Sequence, residues 1–234
     1  FLMSLYQRRL ASSTHALRHS LENRARRLEE GLRRAQELAR RAPLDLPDAD
    51  ELEEMEEAER DRLESILEAI TLAGNATEVR EEIQELRTLA RTAQAVEETD
   101  QEAKLSRLKS LLQQESFFDQ SDKRLLLFTE FKDTLDYLVT RLKAWGFRVG
   151  FIHGGMKPGN RDEPGTRLHA EQQFREGAVQ ILVATEAAGE GINLQVCHVL
   201  FNYDIPWNPN RLEQRMGRIH RYGQTEDCLI FNFV

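Results

Sequence analysis

No run of about 18 apolar residues, the length a membrane-spanning helix needs, occurs anywhere in the 234 residues, so no transmembrane span is expected. Cysteine is scarce. Cys197 and Cys228 stand far apart with no C-x-x-C pair, and they read as free thiols in a reducing cytosol rather than as a disulfide framework. The Cys197-His198 pair lacks a second Cys or His pair at ligand spacing, which argues against a structural zinc and leaves no metal site to name. Aromatics are few at 7%, against 31% charged residues, a composition that suits a modest core beside much exposed helix. No G-x-x-x-x-G-K-S/T loop is present, and with it the lysine-bearing cradle for nucleotide phosphates is missing. There is no paired-aspartate strand end to hold magnesium, and no Ser/His/Asp or Cys/His arrangement with supporting context. These absences exclude a self-contained nucleotide hydrolase. Phe1 is not a natural start and no signal peptide is visible, so the expectation is an excised piece of a longer chain.

What is present is segregated by charge. The net charge is -8, yet residues 1–42 hold ten Arg or Lys against four Asp or Glu, residues 43–103 hold five against twenty, and residues 104–234 hold seventeen against sixteen. Bulk charge therefore does not announce a nucleic-acid partner, and the acidic middle would repel a phosphate backbone. Residues 1–42 read as helix, with Ser12 or Ser13 able to cap and Leu17, Leu21, Leu28, Leu32, Ala35 and Leu38 at helical spacing. Pro43 and Pro47 end it. A second helix is expected from about Asp50 to Ala73, and a third from near Thr77. In the third, Val79, Ile83, Leu86, Ala90 and Ala93 step by four, three, four and three, a short coiled-coil-like seam suited to an antiparallel helical hairpin. This acidic hairpin reads either as a partner-binding arm or as a solvated spacer. Leu105, Leu108, Leu111 and Leu112 then lead into the next unit.

From Lys123 the texture changes to short apolar runs alternating with helical patterns: 125–128, 147–152, 179–184, 199–203 and 228–233. Such alternation implies a parallel sheet covered by helices on both faces. In such sheets ligands gather at the carboxyl ends of the strands. Every unusual sequence falls at such an end: Thr129-Glu130, His153-Gly154-Gly155, Thr185 through Gly191, and Asp204 through Pro209. Gly189-Glu190-Gly191 could bring backbone N–H groups to a phosphate, or simply make a turn. His153 reads as a capped or packed histidine rather than a catalytic one, while Trp207 admits a packing role as readily as a contact role. In Gln214 through Gln224, Arg218 and Arg221 stand three residues apart on what reads as a short helix, a spacing that puts both guanidiniums on one face, with forked donors suited to phosphate oxygens.

These residues, as an ordered set, resemble the second RecA-like lobe of Swi/Snf-type ATPases of helicase superfamily two. Phe128-Thr129-Glu130-Phe131 and His153-Gly154-Gly155-Met156 match its early motifs. Ala184 through Leu194 looks like helicase motif V, and Gln214 through Arg221 looks like motif VI. Trp207-Asn208-Pro209 and Tyr222-Gly223-Gln224 favour the Swi/Snf branch over DEAD-box RNA helicases. The resemblance covers residues 104–234. Residues 1–28 resemble the helical linker between lobes, and 29–103 look like an insertion. It implies an α/β, RecA-like sheet with flanking helices, in a DNA-dependent ATPase that translocates along duplex DNA. ATP would sit between this lobe and a missing first lobe, which would supply the magnesium. Arg218 and Arg221 would be arginine fingers, with Gln214, Gly189, Glu190 and Gly191 toward the nucleotide. Thr129, His153, Gly154 and Thr185 would lie along the DNA backbone. The chain alone would be inactive, the acidic hairpin (43–103) could hold a protein partner, and the location would be cytoplasmic, at the nucleoid in a bacterium. The stretch from Lys157-Pro158-Gly159 to Pro164-Gly165 departs from the pattern by interrupting an expected helix. A non-enzymatic interaction module and an RNA helicase lobe are the competing readings.

Overall fold

Leu125-Leu126-Leu127-Phe128-Thr129 lacks the alternation of a half-exposed strand, and the computed structural model shows why: as β1 (Leu125–Thr129) it is buried at every position. The structure describes residues 2–41, 74–99, 102–186, 194, 196–206, 208–220 and 224–233. Four more strands follow: β2 (Val149–Ile152), β3 (Ile181–Thr185), β4 (Val199–Asn202) and β5 (Leu229–Asn232). They form one parallel sheet in the order β2-β3-β1-β4-β5. The helices, in chain order, are α1 (Leu2–Ser12), α2 (Thr14–Arg41), α3 (Ala76–Glu98), α4 (Ala103–Gln114), α5 (Lys132–Ala144), α6 (Arg167–Glu176) and α7 (Pro209–Met216).

Period-two geometry sends successive strand residues to opposite faces. Leu125, Leu127, Ile181, Val183, Val199 and Phe201 meet the leucines of α4 and α5. Leu126, Phe128, Leu182, Ala184 and Leu200 meet Phe174 of α6 and Ile219 beyond α7. The sheet is thus the middle of three layers, and its continuous apolar runs follow from having two cores to fill.

Contacts divide the chain into two compact units, residues 1–17 with 94–234, and residues 18–93. In the second unit Ile83, Leu86, Ala90 and Ala93 of α3 are buried, as the seam requires, while Val79 is half-buried. Leu21, Ala25, Leu32 and Ala35 form the buried stripe of α2. Ion pairs between Arg24 and Glu82 (2.5 Å) and between Arg87 and Glu29 (2.5 Å) join the two helices. The helix expected over Asp50 to Ala73 lies outside the described residues.

The single helix expected over 1–42 is instead two, parted at Ser13. The Ser13 hydroxyl oxygen accepts the Ala16 N–H (3.0 Å), capping the start of α2. Serine hydroxyls compete with the helical ladder in this way, which makes them natural break points. The departure at 157–165 is an ordered loop. Thr166 donates to the carbonyls of Asn160 and Glu163 and caps α6, and Gly159, at a φ of +59°, passes so close to the Thr166 side chain that a Cβ would lie 2.2 Å from it.

Candidate nucleotide and nucleic-acid site

The carboxyl ends of β1, β2 and β3 open into a cleft of about 550 Å3. Its walls are Glu130, Phe131 and Lys132 after β1, His153, Gly154 and Gly155 after β2, Thr185 and Glu186 at the end of β3, and Arg211 and Gln214 on α7. Four residues singled out in the sequence, His153, Gly154, Thr185 and Gln214, therefore meet in one place. Gly189, Glu190, Gly191 and Arg221 lie outside the described residues, as does Trp207.

The loop after β2 is shaped by its own side chains. His153 Nδ1 accepts the Gly155 N–H (3.1 Å), and the ring stacks on Phe151. Burial, and then the nearby Lys132 ammonium, hold the imidazole below its ordinary pKa, consistent with Nδ1 as acceptor. A Cβ at Gly155 would come within 3.3 Å of that ring. Arg167, at the start of α6, donates to the carbonyls of Gly154 (2.7 Å) and Met156 (2.9 Å), pinning the turn from the other side.

Thr129 is placed differently. It is fully buried, and its hydroxyl donates to Asp204 Oδ2 at 2.6 Å rather than facing the cleft. Asp204, just past β4, also accepts from Ser12 Oγ (2.7 Å) and the Glu130 N–H (3.0 Å), and pairs with Lys104 (3.1 Å). A second cavity, of about 390 Å3, opens beside it between Arg8, Ser12, Lys104, Ile205 and Phe233. Thr134 ties in both Ser12 (2.7 Å) and Ser13 (2.8 Å). One carboxylate thus joins the end of α1, the start of α4 and the loop after β1.

α7 begins as its sequence dictates, with the Asn208 side chain accepting the Asn210 N–H (3.0 Å) and Pro209 in the first turn. It closes at Met216, earlier than the arginine spacing suggested. Beyond Gly217 the backbone tightens, with Arg218 N–H to Arg215 O (3.0 Å) and Ile219 N–H to Met216 O (3.1 Å), and this delivers Ile219 to the core. Arg218 is half-buried on that turn rather than on the helix.

Arg215 carries a role the sequence did not suggest. It is 2% exposed. Its guanidinium donates to Asn202 Oδ1 (3.1 Å) and the Asp204 carbonyl (2.6 Å), lies over the Phe128 ring and reaches Glu186 at 3.5 Å. Burial lowers its pKa, while Glu186 and Asp204 support the charge. Hydropathy reads such an arginine as surface. Its position four residues before the buried Ile219 is the one local sign that it faces inward.

Glu186 Oε1 is buried and without a partner among the described residues, an acceptor open to a hydroxyl or a hydrated cation. Arg211 and Gln214 are exposed at the rim with donors for phosphate oxygens. This set fits the phosphates of a nucleotide. Among the described residues no group of three His, Cys, Asp or Glu is arranged to hold a metal by itself. Cys197 is buried and its thiol is pushed up to about 12, chiefly by desolvation, so it is no nucleophile.

Residues 103–223, from α4 through β4 and α7, match the family model described as the helicase conserved C-terminal domain. The chain belongs to that family. This helicase C-terminal domain is 47% identical over 113 residues to the uncharacterized ATP-dependent helicase YqhH of Bacillus subtilis (strain 168), covering 48% of the chain and 19% of that protein. It is 34% identical over 147 residues to the ATP-dependent RNA helicase DBP3 of Phaeosphaeria nodorum, covering 63% of the chain and 24% of that protein. The C-terminal part of the Fun30 ATPase domain aligns with it at 27% identity and a TM-score of 0.49, over 56% of the chain and 41% of that structure. The matches span only 19% and 24% of the two curated relatives' own lengths. The parallel sheet with flanking helices is the RecA-like fold of helicase C-terminal domains.

Proposed function

We propose that the chain is the second motor lobe of a Swi/Snf-type ATPase that translocates along duplex DNA. The observation that carries this is the convergence of His153, Gly154, Thr185 and Gln214 in one cleft at the carboxyl edge of the sheet. ATP binds between this lobe and a first RecA-like lobe of the same polypeptide, which also holds the magnesium. ATP supplies the phosphoryl group whose transfer develops charge. Arg218 and Arg221 steady that charge as arginine fingers, an effect of about 10³–10⁵ in rate in related chemistry. Gln214 orients the arginine-bearing turn, and Gly189, Glu190 and Gly191 couple the nucleotide to the grip on DNA. His153, Gly154 and Thr185 follow the backbone, where contacts set position rather than sequence. The Swi/Snf assignment is supported by Trp207-Asn208-Pro209 and by Tyr222-Gly223-Gln224. Gln224 anchors the end of this stretch, its side-chain amide donating to the carbonyls of Cys197 and Ile219 (3.2 Å each). Such an enzyme works in the cytoplasm, at the nucleoid of a bacterium.

ATP turnover by the full-length protein tests this reading. Duplex DNA is expected to stimulate it more than RNA of equal length, and Arg218→Ala to abolish turnover with nucleotide binding retained. The chain by itself is expected to turn over negligible ATP. Stimulation by RNA alone would move the assignment to the RNA helicases, a class that includes DBP3 by name. Turnover unchanged by Arg218→Ala would remove the finger. Deleting 43–103 separates a partner-binding arm from one that positions the lobes, because the first leaves turnover intact.

A further inference from the structure

α2 contains eight arginines and no lysine, and the first lysine of the chain is Lys104. Two of these arginines are committed to neighbours, Arg18 to Glu22 and Arg24 to Glu82. Arg26, Arg27, Arg33 and Arg34 are not. All four are exposed, and among the described residues none makes an ion pair, although Glu30 stands one turn from each. Arg26 donates to Asn23 Oδ1, at 3.0 Å. Two helical turns separate Arg26 from Arg33 and Arg27 from Arg34, so the four form two ranks on one face. The opposite side is fixed by the buried stripe of α2. The part of α3 in the same unit carries four glutamates and three arginines and so forms no comparable basic face.

We infer that this arginine face grips the phosphate backbone of a nucleic acid at a second contact, outside the cleft. Guanidiniums bind phosphate bidentately, which favours arginine over lysine for the task. The ranks are about 10.5 Å apart along the helix, far enough for them to reach different phosphates of one polyanionic backbone. Contacts of this kind add affinity and carry no sequence preference. The inference rests on the proposed function only for its choice of polyanion.

The test is fluorescence anisotropy of the 234-residue chain with labelled duplex DNA and, separately, labelled single-stranded RNA of equal length, across a salt series. Changing all four arginines to Gln keeps helix propensity. It is expected to weaken binding and to flatten the slope of log affinity against log salt by about 3.6 on the duplex and about 2.8 on the single strand. The pair Glu30→Gln with Glu37→Gln, which removes from the same face negative charge that repels phosphate, is expected to tighten binding severalfold, a gain that loss of the folded helix would not produce. Unaltered affinity and slope in the arginine variant, with the parent chain binding normally, would overturn this inference and leave the proposed function standing. A parent chain that binds neither nucleic acid would overturn both. Loss of binding to a polyglutamate peptide with nucleic-acid binding intact would make the face a protein interface and the inference wrong.

Discussion

In the unit built from residues 1–17 and 94–234, the pivotal charges are buried: Asp204 gathers Ser12, Lys104, Thr129 and Glu130, and Arg215 bridges Asn202, the Asp204 carbonyl and Glu186. In the unit built from residues 18–93 the core is an apolar seam and the charges stand outside it, in surface ion pairs or in none. The first arrangement makes each polar atom expensive to remove, because its partners are left dry. The second makes surface charge nearly irrelevant to folding, and so available for recognition.

The contrast breaks first at Asp204. Asp204→Ala strips the Lys104 ammonium of its buried counter-charge and takes the acceptor from the Thr129 hydroxyl and the Glu130 N–H, and the expected loss is about 3–5 kcal/mol in urea unfolding. Asp204→Asn, which keeps an acceptor, should recover part of it. A loss under about 1 kcal/mol from the alanine variant would show that water replaces the carboxylate and that the two units do not differ in kind. Next in size, Ser13→Ala should lower stability by about 1 kcal/mol through the lost cap, read from the same unfolding curves. A double-mutant cycle on Arg24 and Glu82 should return a coupling of no more than about 1 kcal/mol, falling as salt is added. A larger, salt-insensitive value would mean that the helical unit also relies on buried charge.

The smallest effect concerns pH. Burial and Lys132 hold His153 below its ordinary value of 6.5, so the unfolded chain takes up the proton more readily than the folded one. The turn's contribution is therefore complete above 6.5 and lost progressively as the pH falls through the folded value. In an NMR titration the His153 ring should show its midpoint below 6.5, with the Gly155 amide shifting alongside. A midpoint above 6.5 would remove the assignment of Nδ1 as acceptor.

Much of the sheet was legible because each of its three central strands fills two cores and so reads as a plain apolar run bounded by turns, as Leu125 to Phe128 does. The cleft was legible for a topological reason: parallel strands put their carboxyl ends, and hence His153 and Thr185, on one edge. Asp204 stands at such an edge too, but its donors come from positions 12, 104, 129 and 130, a convergence that no local pattern encodes. The same carboxylate takes the Thr129 hydroxyl, which sequence alone assigned to an outward contact. Arg215 was hidden because a buried guanidinium and an exposed one have the same hydropathy. The early close of α7 was hidden because helical spacing continues through Gly217 on paper, whereas Ile219 is drawn into the core only once the sheet exists.

The unequal setting of the two thiols has a practical side. Cys197 is sealed inside with its proton held tightly, while Cys228 opens partly to solvent at the threshold of the last strand. A maleimide dye offered to the folded chain should attach at Cys228 alone, placing a reporter on the outermost strand without altering a single codon.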